Sequence, residues 1–207
     1  MGSVCFIVDA MVTGEMLPRH LKSIRESGVA DHLLPILVTA TKAQERLSAI
    51  EKRYHAHSLI TPARPLGARL NKAASASQAE WLIIALQKKP LSADLWGALY
   101  PQLNTYTLDA LIIGFTRPTL SERILRRLLA SALIFPPYIA VRRAWLERLG
   151  GFDPELDDNS AIDDFLQRLH ACPTRLKTYS GHLLSQVDEP DDDPMLPNPE
   201  AAVTPRP

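Results

Sequence analysis

Apolar residues fall in short unbroken runs along this chain, separated by longer stretches with helical spacing. Residues 4–8 (VCFIV) predict a buried strand at the start, and Asp9 follows at its carboxyl end, where open α/β sheets bind ligands. Residues 17–27 read as a helix with Leu17, Leu21 and Ile24 on one face and Gly28 as its stop. Residues 35–38 predict a second strand and residues 42–54 a second helix, with Leu47, Ile50 and Tyr54 apolar. A brief third strand follows at 58–60, then a helix that opens at Leu66 and runs through alanines to Glu80. The most apolar run, 81–86 (WLIIAL), predicts the central strand. Beyond it come a helix over 91–103, a strand over 110–115, an amphipathic helix over 119–135 and a final edge strand over 177–184. Strands alternating with helices predict an α/β fold: a parallel or mostly parallel sheet with helices on both faces.

Residues 139–169, IAVRRAWLERLGGFDPELDDNSAIDDFLQRL, depart from simple alternation. An apolar run ends in Arg142 and Arg143, and a helical turn carries Trp145 and Leu149. Gly150 and Gly151 allow a tight turn that Phe152 can anchor. An acidic loop leads into a helix starting near Asn159 or Ser160, which places Asp163 and Asp164 in its first turn, where free N–H groups favour negative charge. Carboxylates held there could serve as a general base or bind a substrate hydroxyl. The plainer alternative is a capped helix with a solvated acidic start.

This segment resembles the C-terminal half of family 2 glycosyltransferases. Their acceptor-side signature is an aliphatic run, an Arg-rich turn, a GGFDE turn and an acidic helix start ending in RL; here it reads VRRAWLERLGGFDP and then DDFLQRL. Upstream, G-x-x-x-N-x-A-x-x-A-x-x-A-E-W before an aliphatic strand is similar to the same family. The resemblance implies a GT-A-like fold with a mostly parallel mixed sheet over residues 1–187. It implies transfer of a sugar, a hexosyl group, from a nucleotide sugar to a hydroxyl of a glycan, lipid-linked or protein acceptor, as in polysaccharide biosynthesis. It puts Gly67 and Asn71 near the nucleotide, and Arg142, Arg143, Trp145, Gly151 and Asp153 on the acceptor or phosphate side.

Two of the family's functional positions differ. Where the family has LDAD after the central strand, this chain has Leu86-Gln87-Lys88-Lys89, so both metal-ligating carboxylates are missing. The second strand lacks the Asp that recognises the base and reads Leu37-Val38-Thr39-Ala40-Thr41-Lys42. Counting back from Arg168, Asp164 fits one acidic position of the family helix, while its ED pair falls on Ala161 and Ile162; a slightly shifted helix start gives the role to Asp163. No metal or other cofactor is assigned, because the carboxylates that would hold a divalent cation are absent. Lys88 and Lys89 could replace it electrostatically, with Asp9 and Gln87 beside them on the donor side; the alternative is an ordinary polar loop. Two functional classes stay open: a metal-independent glycosyltransferase, and a catalytically inactive glycosyltransferase-like module that binds a glycan or a protein partner.

Composition narrows this little further. The 207 residues are 46% hydrophobic and 22% charged, enough for one sizeable core. A formal net charge of zero gives no field that would draw nucleic acid or an anionic membrane. No apolar run approaches the roughly 20 residues that span a bilayer, and no signal peptide is evident. Cys5 and Cys172 match no zinc or redox spacing and fit reduced thiols of a cytoplasmic protein. The histidines form no metal motif, and Walker, G-x-G-x-x-G and nucleophile-elbow patterns are absent. Residues 188–207, acidic and proline-rich with few large apolar side chains, predict a disordered tail.

Overall fold

The longest apolar runs form strands buried along their whole length, because helices cover both faces of the sheet. The computed structural model describes residues 3–103, 107–114 and 135–179. Its elements in chain order are β1 (Val4–Asp9), α1 (Ala10–Thr13), α2 (Leu17–Arg25), β2 (Ile36–Ala40), α3 (Glu45–Tyr54), β3 (His57–Ile60) and α4 (Leu66–Ala76). After these come β4 (Trp81–Ala85), α5 (Ala93–Leu103), β5 (Ala110–Ile113), β6 (Tyr138–Arg142), α6 (Arg143–Arg148), α7 (Asp158–Ala171) and β7 (Leu176–Tyr179). The strands form one seven-stranded sheet in the order β3-β2-β1-β4-β6-β5-β7, with β4 in the middle as its sequence predicts. Among the described strands only β6 is reversed: it pairs antiparallel with β4 and β5, and every other described pairing is parallel.

Alternate residues of each central strand feed two cores. Val4, Phe6, Val8, Trp81 and Ile83 pack with Leu21 and Ile24 of α2, Leu47 of α3, and Trp96 and Leu99 of α5. Cys5, Ile7, Leu82 and Ile84 face the other way, onto Leu66 and Leu70 of α4, Leu146 of α6, and Phe165 and Leu169 of α7. Phe152 joins this second core with its ring centroid 4.4 Å from that of Phe165, so it does anchor the glycine turn. Each such large apolar side chain contributes roughly 1.5–3 kcal/mol on burial.

Some boundaries differ from the sequence reading. The α4 helix stops at Ala76 because Ser77 turns extended and its hydroxyl accepts the Ala79 N–H at 3.1 Å. The α7 helix begins at Asp158, capped by Asp157, whose Oδ1 accepts the N–H groups of Asn159 and Ser160 at 3.1 and 3.0 Å. Asp163 and Asp164 therefore lie in the second turn and not the first: the earliest available carboxylate takes the cap. The predicted helix over 119–135 falls almost wholly outside the described residues, as do the end of the last strand and the 188–207 tail.

Candidate functional site at the carboxyl edge of the sheet

The parallel strands β1 to β4 all exit at one edge, where α/β sheets offer loops and helix starts to ligands. Asp9 sits there, fully buried, and its carboxylate is wholly engaged. Its Oδ1 accepts the N–H groups of Met11 and Val12 at 2.9 and 3.0 Å and Arg69 Nη2 at 3.2 Å. Its Oδ2 accepts Arg69 Nε at 2.6 Å and the Thr39 hydroxyl at 2.7 Å. Arg69 is 1% exposed and also donates to the Arg64 carbonyl. Asp9 is thus at the expected edge, with its lone pairs spent tying β1, α1, β2 and α4 together, so any part it has on the donor side runs through the elements it holds.

Beside this plug a cavity of about 290 Å³ opens between the start of α1 and the start of α3. Ala40, Leu17, Leu47 and Ile50 give it apolar walls, Met11 lies exposed at 60%, and Glu15, Lys42 and Arg46 add charge. The positions that a sequence reading passes over, Glu15 and Arg46, line it with Lys42; exposed charge in a helix or loop carries no sequence signal of its own.

A second cationic group stands at the exit of β4. Lys88 and Lys89 are exposed, and the Gln87 amide donates to the Phe135 carbonyl. His20 of α2, fully buried, contacts the Lys88 carbonyl through Nε2 at 3.0 Å and the Tyr138 hydroxyl through Nδ1. Its signal in sequence was its place three residues after Leu17, on the buried face of α2. Burial holds the His20 imidazolium below its ordinary pKa, against a smaller opposite pull from the Lys88 carbonyl. Taken together, β2, β3 and β4 are followed by Lys42, Arg64 and Lys88-Lys89, all exposed and none in an ion pair among the described residues.

Gly67 and Asn71 do not face this edge's cavity. A Cβ on Gly67 would collide with the Asp153 carbonyl oxygen, and one on Gly151 would lie 2.6 Å from Asn71 Oδ1. Asn71 donates to the Phe152 carbonyl at 2.7 Å and accepts its N–H at 2.9 Å. The two residues hold the glycine turn against α4, and Gly151, at φ 71°, needs its missing side chain for that approach. Asp153 Oδ1 accepts the Glu155 N–H at 2.8 Å, closing the turn.

Farther along, Asp158 reaches the N-terminus of α4 and accepts the Leu66 N–H at 2.8 Å. Asp164 is paired with Arg168, which also donates to the Leu149 carbonyl, whereas Asp163 accepts, among the described residues, only the Gln167 amide, at 2.7 Å. Ala161 and Ile162 are both buried, Ile162 within the second core. The paired lysines and both aspartates are absent from the cavity wall, and α7 lies on the face opposite α5.

Arg142 and Arg143 require a correction. Because β6 is reversed, Arg142 pairs with Trp81, the first residue of β4, at the opposite, amino edge of the sheet. There Arg142 stacks 4.8 Å from the Trp81 ring centroid and pairs with Glu80, and Arg143 pairs with Glu147 at 3.0 Å. Trp145, next to them, donates to the Thr174 hydroxyl at 3.0 Å.

The strand order and single reversed strand can be compared with known proteins. No protein-family model matches this chain, and no curated protein matches it by sequence. Solved structures do match. A mannosyltransferase from Pyrobaculum calidifontis, in complex with GDP-Man and Mn2+, aligns at TM-score 0.64 and 19% identity over 87% of this chain and 55% of its own. S. aureus TarS (1-349) aligns at TM-score 0.63 and 15% identity over 86% of this chain and 60% of its own. Glucosyl-3-phosphoglycerate synthase from Mycobacterium tuberculosis, in complex with UDP, aligns at 0.60 and 16% identity over 86% of this chain and 70% of its own.

The fold is GT-A-like. Within this GT-A-like fold the chain spans little more than half the length of the first two neighbours. The residues at its β4 exit do not suit a divalent cation: two ammonium groups follow Gln87, and no cluster of three or more His, Cys, Asp or Glu among the described residues could hold one. Among the described residues, no helix is long and apolar enough to cross a membrane.

Proposed function

We propose that this protein is a family 2-like glycosyltransferase that takes a nucleotide sugar at the carboxyl edge of its sheet and passes the sugar to a hydroxyl acceptor in a cytoplasmic setting. The observation that carries the reading is the set of exposed, unpaired cations after β2, β3 and β4 in a fold shared with nucleotide-sugar enzymes. The apolar cavity beside Lys42 and Arg46 would take the nucleoside, and Lys88 and Lys89 the diphosphate. In a transfer reaction the negative charge that develops on the leaving diphosphate must be met, and fixed ammonium groups do so without a metal. Asp163, the less engaged of the two aspartates, would take the acceptor proton. Gly67, Asn71, Gly151 and Asp153 would act by holding the α4–turn unit that carries α7. The test is sugar transfer from a panel of nucleotide sugars in EDTA, with Asp163→Asn alongside. Turnover that Asp163→Asn abolishes supports the reading, and turnover only with added Mn2+ contradicts it.

A second reading has its own observation. Asp9 and Asp164 are both committed to arginines, and buried Ala161 and Ile162 stand where the resemblance expects the acidic pair. These favour a module that binds a nucleotide sugar or glycan without transferring it. Tight nucleotide binding with no transfer across the panel would select this reading.

A further inference from the structure

Lys88 and Lys89 project from a loop whose backbone is gripped at several points. The Leu86 N–H donates to the Pro137 carbonyl at 2.9 Å, Gln87 donates to Phe135, and the Ser23 hydroxyl donates to the Leu91 carbonyl. Between these lies the contact from His20 to the Lys88 carbonyl. A carbonyl can only accept, so Nε2 carries the ring proton, and Nδ1 is then the acceptor for the Tyr138 O–H. Tyr138 is itself fully buried, opposite Ala85 in the sheet, with its ring 5.2 Å from that of Trp96. Hydroxyl, imidazole and carbonyl thus form a directional chain from the rigid start of β6, through α2, to the lysine loop. Neither His20 nor Tyr138 is exposed, so neither touches a ligand.

We propose that His20 and Tyr138 are positioning residues for anion binding: they fix the Lys88 backbone so that the Lys88 and Lys89 ammonium groups meet a diphosphate without first having to order the loop. The inference rests on the functional reading above. Anchoring removes an ordering cost that binding would otherwise incur. It also links the two halves of the site, because Leu17 of the cavity wall and His20 lie one turn apart on α2.

A series at one position tests it. The amide nitrogen of Gln reaches about as far as histidine Nε2, whereas that of Asn reaches only as far as Nδ1. His20→Gln should keep nucleoside diphosphate affinity close to that of the unsubstituted protein, measured calorimetrically with UDP and GDP in EDTA. His20→Asn should weaken it roughly tenfold, the worth of about one ordered hydrogen bond. Tyr138→Phe, which frees the ring's other nitrogen, should fall between. Amide exchange of the 86–91 loop in ligand-free protein should rise in His20→Asn and not in His20→Gln, a readout that general loss of stability would not divide this way. Equal affinities and equal exchange for the Gln and Asn variants would overturn the positioning role. If the unsubstituted protein binds neither nucleotide, the functional reading itself fails, and the exchange data still decide whether His20 anchors the loop.

Discussion

The two edges of the sheet differ in how three arginines and a set of strand-exit cations are partnered. At the amino edge, Arg142, Arg143 and Arg175 each have a carboxylate partner, Glu80, Glu147 and Asp109 respectively. At the carboxyl edge one cation, Arg69, is buried against Asp9, and the exposed ones, Lys42, Arg64, Lys88 and Lys89, have none among the described residues. Paired surface cations add little stability and attract little. Cations without a carboxylate partner leave their field for a ligand. On the proposed reading, the difference separates an edge that closes the fold from one that leaves charge for a ligand.

The comparison breaks most visibly at the buried pair. Arg69→Ala leaves the Asp9 carboxylate uncompensated in the interior, and urea unfolding should show a loss of about 3–5 kcal/mol. Arg142→Ala at the amino edge removes a partly buried pair with Glu80, the stack on Trp81 and a hydrogen bond to the Leu108 carbonyl, and should cost about 1–2 kcal/mol in the same assay. A comparable loss for both would erase the distinction between the edges.

Next in size is the α4–turn contact. Gly67→Ala forces a methyl into the Asp153 carbonyl and should destabilise by roughly 1–3 kcal/mol, visible in the thermal midpoint. An unchanged midpoint would mean that the turn can retreat from α4 at no cost.

Acidification sharpens the contrast. Burial depresses the His20 pKa in the folded protein, so the unfolded chain binds a proton first as pH falls below about 6.5. The stability contribution of neutral His20 is complete above that value and is lost as pH falls through the folded pKa. His20→Gln should flatten this part of the stability curve. Asp109 behaves likewise at lower pH: its hydrogen bond from Arg175 holds it below the usual carboxylate range, so its contribution is complete above about pH 4 and fades below. Asp109→Asn should remove only this more acidic limb. Smallest of all, Glu147→Ala breaks an exposed pair within α6 and should change stability by about 0.5 kcal/mol or less.

Much of this architecture could be read in the sequence. VCFIV and WLIIAL read as strands buried on both faces, and β1 and β4 are those strands. The spacing of Leu17, Leu21 and Ile24 gave the inward face of α2. Less legible was anything decided by distant partners. That Asp9 would be consumed by Arg69, sixty residues on, has no local signature. Nor does the reversal of β6, which carries Arg142 away from the lysines although both flank central strands. The start of α7 was misplaced because Asp157, Asp158, Asn159 and Ser160 are all competent caps, and only geometry chooses among them.

The claim on which the rest depends is that the unpaired lysines at the β4 exit bind a diphosphate without a divalent cation. The most direct measurement is a calorimetric titration of UDP and GDP into the full chain in EDTA, repeated with Mn2+ and with Lys88→Ala/Lys89→Ala. The expected result is binding in EDTA that Mn2+ leaves unchanged, that weakens as salt rises, and that the double substitution reduces by roughly tenfold or more. Binding that appears only with Mn2+, or that survives loss of both lysines intact, would contradict it.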